Sequence, residues 1–256
     1  MPMQLDTGAI KAESRSLLRT GEVNPFRMTL FYLLITLVLD MINSGVSYMI
    51  DSAGGFTVLS FSFVSILIGL VSLVLNAGYY CYCFGILRRE QMPYESLFDA
   101  FPFAGKVILL SIVEGIFIFL WSMLFVIPGI IAAYRYSFAM LNLCENPELG
   151  VMEALNLSKQ QTFGYKWQLF VLQLSFIGWS LLVLGIFLIY ELLIAALLPD
   201  SFLGIMFGSL LLSVLAAGVG VYLTPYLNLS ICRFYQLATA PQVNEPPHFD
   251  SWNDNF

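Results

Sequence analysis

The feature that most constrains the fold is Val107 to Leu143, an apolar run interrupted by Pro128-Gly129 and then carrying Arg135. Between Lys106 and Arg135 the only charge is Glu114, and cationic segments lie beyond both ends. Lys and Arg accumulate on the cytoplasmic side of a membrane, so a run flanked by cations at both ends is expected to enter and return rather than cross once. Proline removes a backbone donor and clashes with the preceding turn, while glycine accepts angles that other residues resist. Pro128 and Gly129 are therefore the expected reversal.

The rest of the chain is of one kind with this run. It is 59% hydrophobic and 11% charged, against about 45–50% and about 25% in soluble domains. A polar shell cannot be built from that composition. The net charge of -6 does not point to a particular partner, because membrane orientation follows the placement of Lys and Arg rather than their sum. Nucleic acid is not an expected ligand. Cys81, Cys83, Cys144 and Cys232 lie in or beside apolar runs with no His at ligand spacing, so they read as packing residues, and neither a metal nor a cofactor is expected. No removable signal peptide is evident, and the first span is expected to act as its own signal.

The expected fold is all-α: a polytopic transmembrane bundle of about six spans with short amphipathic interfacial helices. Residues 1–237 form one membrane domain. An interfacial helix at 7–20 carries Ile10, Leu17 and Leu18 at helical spacing. Spans are expected at about 28–50, 56–87, 107–127, 129–143, 167–198 and 202–224. The connector from Gln91 to Phe103 places Tyr94, Leu97, Phe98 and Phe101 on one side. A second connector, Glu145 to Gly164, holds a helix whose less polar face is Val151, Ala154, Leu155 and Ser158. Pro225 is expected to bend the chain into an interfacial segment at 226–237, and 238–256 reads as a flexible cytoplasmic tail.

Cation placement selects six spans over five. A single crossing by Val107 to Leu143 puts Lys159 and Lys166 on the side opposite Arg88, Arg89 and Lys106; two passes put all of them together. The loops around Asp51 and Asp200 then lie outside without cations, and both termini are cytoplasmic. The fourth span is the short one, since about fifteen residues at about 1.5 Å each reach only about 22 Å. A re-entrant half-helix satisfies the same charges.

Ionisable groups inside hydrocarbon cost about 2.5–3.5 kcal/mol each on insertion scales, so each calls for a partner or a function. Here they are Asp40, Glu114, Arg135 and Glu191. Asp40, Glu114 and Arg135 form the candidate intramembrane polar site, with Arg135 and Asp40 as a candidate ion pair, more structural than functional. Glu114 is either a proton- or cation-binding group or a carboxyl bonded to Ser111 or Gln173. Gly218 and Gly220 read as helix-packing positions. On the connector, Glu153, Ser158 and Lys159 form a candidate face for a cytoplasmic partner or a lipid headgroup, with a solvated face as the plain alternative. The single His248 lies in the tail, so no catalytic residues are assigned and an enzyme is not expected.

Leu120 to Ile131 followed by Tyr134 to Met140, then Glu145-Asn146-Pro147-Glu148, Glu153-Ala154-Leu155, Leu174 to Trp179, Gly218-Val219-Gly220 and Pro225-Tyr226 occur in a fixed order. This set resembles the bacterial membrane family catalogued as domain of unknown function 975, over about Ile10 to Leu237. The stretch between Trp179 and Gly218 is longer than is usual in that family. The resemblance implies a bacterial plasma membrane and brings no activity. Besides the bilayer, the expected partner is a membrane or cytoplasmic protein, and the expected function is interaction, assembly or regulation. The alternative is a small-solute, ion or lipid transporter using Asp40, Glu114 and Arg135.

Overall fold

A computed structural model of the chain describes residues 6–18, 24–52, 56–197 and 202–240. Among them the regular structure is entirely helical: α1 Thr7–Leu17, α2 Pro25–Ser52, α3 Phe56–Leu87, α4 Ala104–Leu124, α5 Val126–Tyr136, α6 Ala139–Glu145, α7 Val151–Gln161, α8 Lys166–Leu197 and α9 Phe202–Thr239. Short 3-10 turns at Tyr94–Phe98 and Phe101–Phe103 replace the helical connector expected before α4. Of the tail expected at 238–256, Ala238 and Thr239 belong instead to the end of α9; 241–256, the loop at Pro199-Asp200-Ser201 and the Glu191 side chain lie outside what is described.

Among the described residues four stretches are long and apolar enough to cross a membrane: Pro25–Asn43, Ser62–Leu87, Tyr94–Leu124 and Val126–Glu145. Their outward faces are correspondingly greasy, with Leu37, Met41, Phe63, Ile66, Phe119 and Ile127 exposed. Large apolar side chains gain nothing by turning inward when the surroundings are hydrocarbon rather than water.

Among the residues whose burial is described, the larger buried cluster gathers one end of each of four long helices. It takes in Met28 near the start of α2, Leu75 to Ile86 at the end of α3, Leu169 to Phe176 at the start of α8 and Tyr226 to Tyr235 at the end of α9. Exposed apolar residues take over from Leu30 along α2, before Leu73 on α3 and beyond Leu174 on α8. The geometry is a consequence of length. Helices of 32 residues, as in α3 and α8, run about 48 Å, longer by several turns than a bilayer's hydrocarbon core of about 30 Å. Those turns converge with α1, α6 and α7 into a compact aromatic bundle. Phe138 meets Tyr235 edge-on at 5.3 Å, Phe176 meets Tyr226 at 4.9 Å, and Thr29 shares a 2.6 Å hydrogen bond with Tyr79. Cys83 and Cys232 are fully buried there.

Helix α1 docks on α9. Asp6 caps it by accepting from the Gly8 amide at 2.8 Å, and its Ile10-Ser14-Leu18 stripe is buried. Glu13 receives both Arg233 Nε and Nη2 at 2.9 Å, while Arg15 lies over Tyr226. Pro225 lies within continuous α9, so the segment expected as separate at 226–237 prolongs the last long helix. The close backbone approaches are at Gly78, where a Cβ meets the Leu97 carbonyl oxygen, and at Gly129, where it meets Ser122. A Cβ at Gly218 meets nothing within 4 Å, and one at Gly220 only Leu33 at 3.7 Å.

Candidate functional site

The break between α4 and α5 falls at Phe125, which is extended (φ -162, ψ 154). Pro128 and Gly129, expected as the reversal, lie instead in the first turn of α5. The first amides of a helix have no intrahelical acceptor, so proline is accommodated there without losing a bond and the break is displaced to the residue before that turn. Three contacts register α4 against the chain beyond the break: Gly129 on Ser122, Phe117 stacked on Tyr136 at 5.8 Å, and Lys106 Nζ donating to the Pro147 carbonyl at 2.6 Å. Residues progressively earlier than Phe125 meet residues progressively later, so the two legs run antiparallel. The second leg is itself broken at Ser137-Phe138, between α5 and α6.

That second break is closed from α7. A helix interruption frees a carbonyl and an amide that must find partners if buried. Ser158 Oγ donates to the Arg135 carbonyl at 2.9 Å and accepts from the Phe138 amide at 3.1 Å. Thr162 Oγ1 lies 3.2 Å from the Arg135 carbonyl and shares its one proton between it and the nearer Ser158 carbonyl at 2.8 Å, while Ser137 Oγ satisfies the Tyr134 carbonyl at 2.9 Å. One turn on, Asn142 and Gln161 exchange reciprocal amide bonds, both 2.9 Å. The Tyr235 hydroxyl stands 2.8 Å from Asn142 Oδ1 and 2.7 Å from Glu145 Oε2, and Arg88 lies 3.4 Å from the other oxygen of Glu145. Burial, and then the bond to Glu145, push the Tyr235 phenol well above its ordinary pKa.

The sequence-predicted residues divide accordingly. Ser158 is fully buried, so it belongs to the joint and not to an outward face, while Glu153 and Lys159 are exposed. Glu153 also has a local role: its carboxylate accepts from the Gly150 amide at 3.4 Å, at the start of α7. Asp40 and Arg135 are not brought together. Asp40 is exposed on α2, which packs on α3 and α9, whereas α5 packs on α4, α7 and α8. The ion pairs among the described residues are Arg88–Glu145 and Arg233–Glu13. Glu114 is half-buried on α4 and makes neither expected bond, since Ser111 donates to the Val107 carbonyl and Gln173 accepts from Tyr134.

Arg135 instead reaches the connector. With Lys159, Gln160, Phe163 and Lys166 it lines an open cleft of about 570 Å³, and on its other side it ends an apolar groove of about 150 Å³ formed with Trp121, Pro128, Ile131 and Ala132. Burial and the neighbouring Arg135 guanidinium hold the Lys166 ammonium below its ordinary pKa. Sequence reasoning paired Arg135 with the wrong partner because helix α7 had no assigned depth. The signal that was available is the cationic spacing of Lys159 and Lys166 around exposed Phe163 and Trp167.

Among the described residues the regular structure is all helical, with greasy outward faces, an internally bonded polar joint and four stretches long and apolar enough to cross a membrane. Residues 123–241 match the model of the family described as Protein of unknown function (DUF975), an uncharacterised family. The match begins at the tip of α4 and takes in α5 to α9, so the joint and the cationic cleft lie within it. No curated protein and no solved structure matches the chain.

Proposed function

We propose that this chain is a multi-pass protein of a bacterial plasma membrane, with six apolar passes and both termini in the cytoplasm, that acts as an interaction or assembly partner through α7. The observation that carries the reading is the way α7 is held. Its Ala154-Leu155-Ser158 face is buried and hydrogen-bonded across the α5–α6 joint, which leaves Met152, Asn156 and Lys159 exposed in a fixed orientation. A rigid exposed face on an element that is otherwise buried loses little entropy when a partner orders it. The separation of Asp40, Glu114 and Arg135 over different surroundings favours interaction over transport, because a path for a charged solute needs its polar groups contiguous. Alternation of α2, α3, α8 and α9 about a core at one end supports the placement of both termini on one side.

Site-specific photocrosslinking in cells tests it. A crosslinker at Asn156 is expected to give one adduct of defined mass, lost in Met152→Ala/Lys159→Ala, while Asp40→Ala and Glu114→Ala leave it unchanged. Flux of a solute in proteoliposomes that depends on Asp40 or Glu114 overturns the reading in favour of a transporter.

A further inference from the structure

We propose that the cleft of Arg135, Lys159 and Lys166 binds the phosphate of an anionic phospholipid of the cytoplasmic leaflet, with an acyl chain in the groove of Trp121, Pro128 and Ile131. The inference rests on the cytoplasmic placement of α7 but not on any protein partner. Three cations from three elements converge on one opening, and neither ion pair among the described residues uses any of them. Apart from the Tyr136 ring under the Arg135 guanidinium, these like charges have no compensating group among the described residues; burial first, and then Arg135, lower the pKa of the Lys166 ammonium, and a phosphate relieves the repulsion. Ser158 and Thr162 hold the Arg135 carbonyl, so binding has to order the Arg135 side chain but not its backbone. Gln160 adds a neutral side chain to the same lining.

The surroundings select a lipid over a free phosphate. Phe163, which lines the cleft, is 80% exposed, and Trp167, next in the chain to Lys166, is 71% exposed, as expected of aromatic residues at headgroup depth. Arg135 is shared between the cationic cleft and the apolar groove, and the groove opens among exposed Ile127, Ile130 and Ile131. Charge at one end and a hydrocarbon-facing channel at the other match an amphiphile, and basic pockets between helices at the cytoplasmic surface suit anionic headgroups.

The test is native mass spectrometry of the full chain released from nanodiscs of mixed phosphatidylglycerol and phosphatidylcholine. Preferential retention of phosphatidylglycerol is expected, falling about fivefold for each of Arg135→Gln, Lys159→Gln and Lys166→Gln. Arg88→Gln, which removes a cation elsewhere, is expected to leave retention unchanged, and equal thermal stability of the variants establishes that they fold. Ile131→Trp, which fills the groove, is expected to weaken the lipid. Displacement of the lipid by inorganic phosphate together with indifference to Ile131→Trp assigns the cleft to a free phosphate and overturns the lipid proposal. No preference over phosphatidylcholine, or a preference that survives all three neutralisations, overturns it altogether. A failed α7 crosslink leaves this result untouched.

Discussion

Ser158 Oγ lies 2.9 Å from the carbonyl oxygen of Arg135, a residue 23 positions earlier, and so mends from one helix the hydrogen-bond ladder that another has lost. The same hydroxyl accepts the Phe138 amide. A broken helical leg is thereby kept broken at one place and in one geometry, and α7 is tied to it.

Removing that hydroxyl strands a buried amide. Ser158→Ala is expected to destabilise the protein by about 1–3 kcal/mol, with Thr162 still serving the Arg135 carbonyl, and Ser158→Ala/Thr162→Val by more. Thermal unfolding in detergent checks this against Lys159→Ala, an exposed neighbour expected to stay within about 0.5 kcal/mol of the parent.

The Asn142–Gln161 pair should behave as a unit. Asn142→Leu and Gln161→Leu each leave the other amide unpaired, so the double variant is expected to recover part of the sum, with a coupling of about 0.5–3 kcal/mol in a double-mutant cycle. Additive losses would mean that the reciprocal bonds contribute nothing.

Gly78 and Gly218 make opposite predictions for one substitution. At Gly78 a Cβ runs into the Leu97 carbonyl, a backbone atom that cannot swing aside, so Gly78→Ala is expected to cost about 1–3 kcal/mol. At Gly218 the space is open, and Gly218→Ala is expected to be neutral or to stabilise α9 by up to about 1 kcal/mol. Both are read by the midpoint of thermal unfolding.

Asp40 and Arg135 should be energetically independent, since they lie on helices with different neighbours. The effects of Asp40→Asn and Arg135→Gln on stability are expected to add within about 0.5 kcal/mol. A larger coupling would restore the ion pair that the structure separates.

Side-specific labelling tests the passes. With the four cysteines replaced by alanine, single cysteines at exposed Asn146 and Asn156 are expected to react from the cytoplasm and one at Ser201 from outside. External reaction at Asn156 would place the α4–α5 hairpin and the connector on opposite sides and remove the six-pass arrangement.

By itself the sequence determined the helices, because apolar periodicity and length are local properties: α3 at Phe56–Leu87, the docking stripe of α1 and the buried face of α7 all lie where their side chains put them. Cations at both ends raised the expectation that Val107 to Leu143 enters and returns, and the structure divides that run among α4, α5 and α6. The break at Phe125 was legible only in part, since proline advertises a helix end but also fits a helix start. What the tertiary structure decided is which polar groups meet. Ser158 looks like a surface residue beside Lys159, and Arg135 looks like a membrane-buried charge in need of Asp40. The Ser158 hydroxyl instead meets the Arg135 carbonyl 23 residues away, and the guanidinium lies over the Tyr136 ring and lines a cleft with Lys159 and Lys166. Hydrogen bonds and charge clusters form between elements after they pack, and no residue spacing along the chain encodes where two helices will touch.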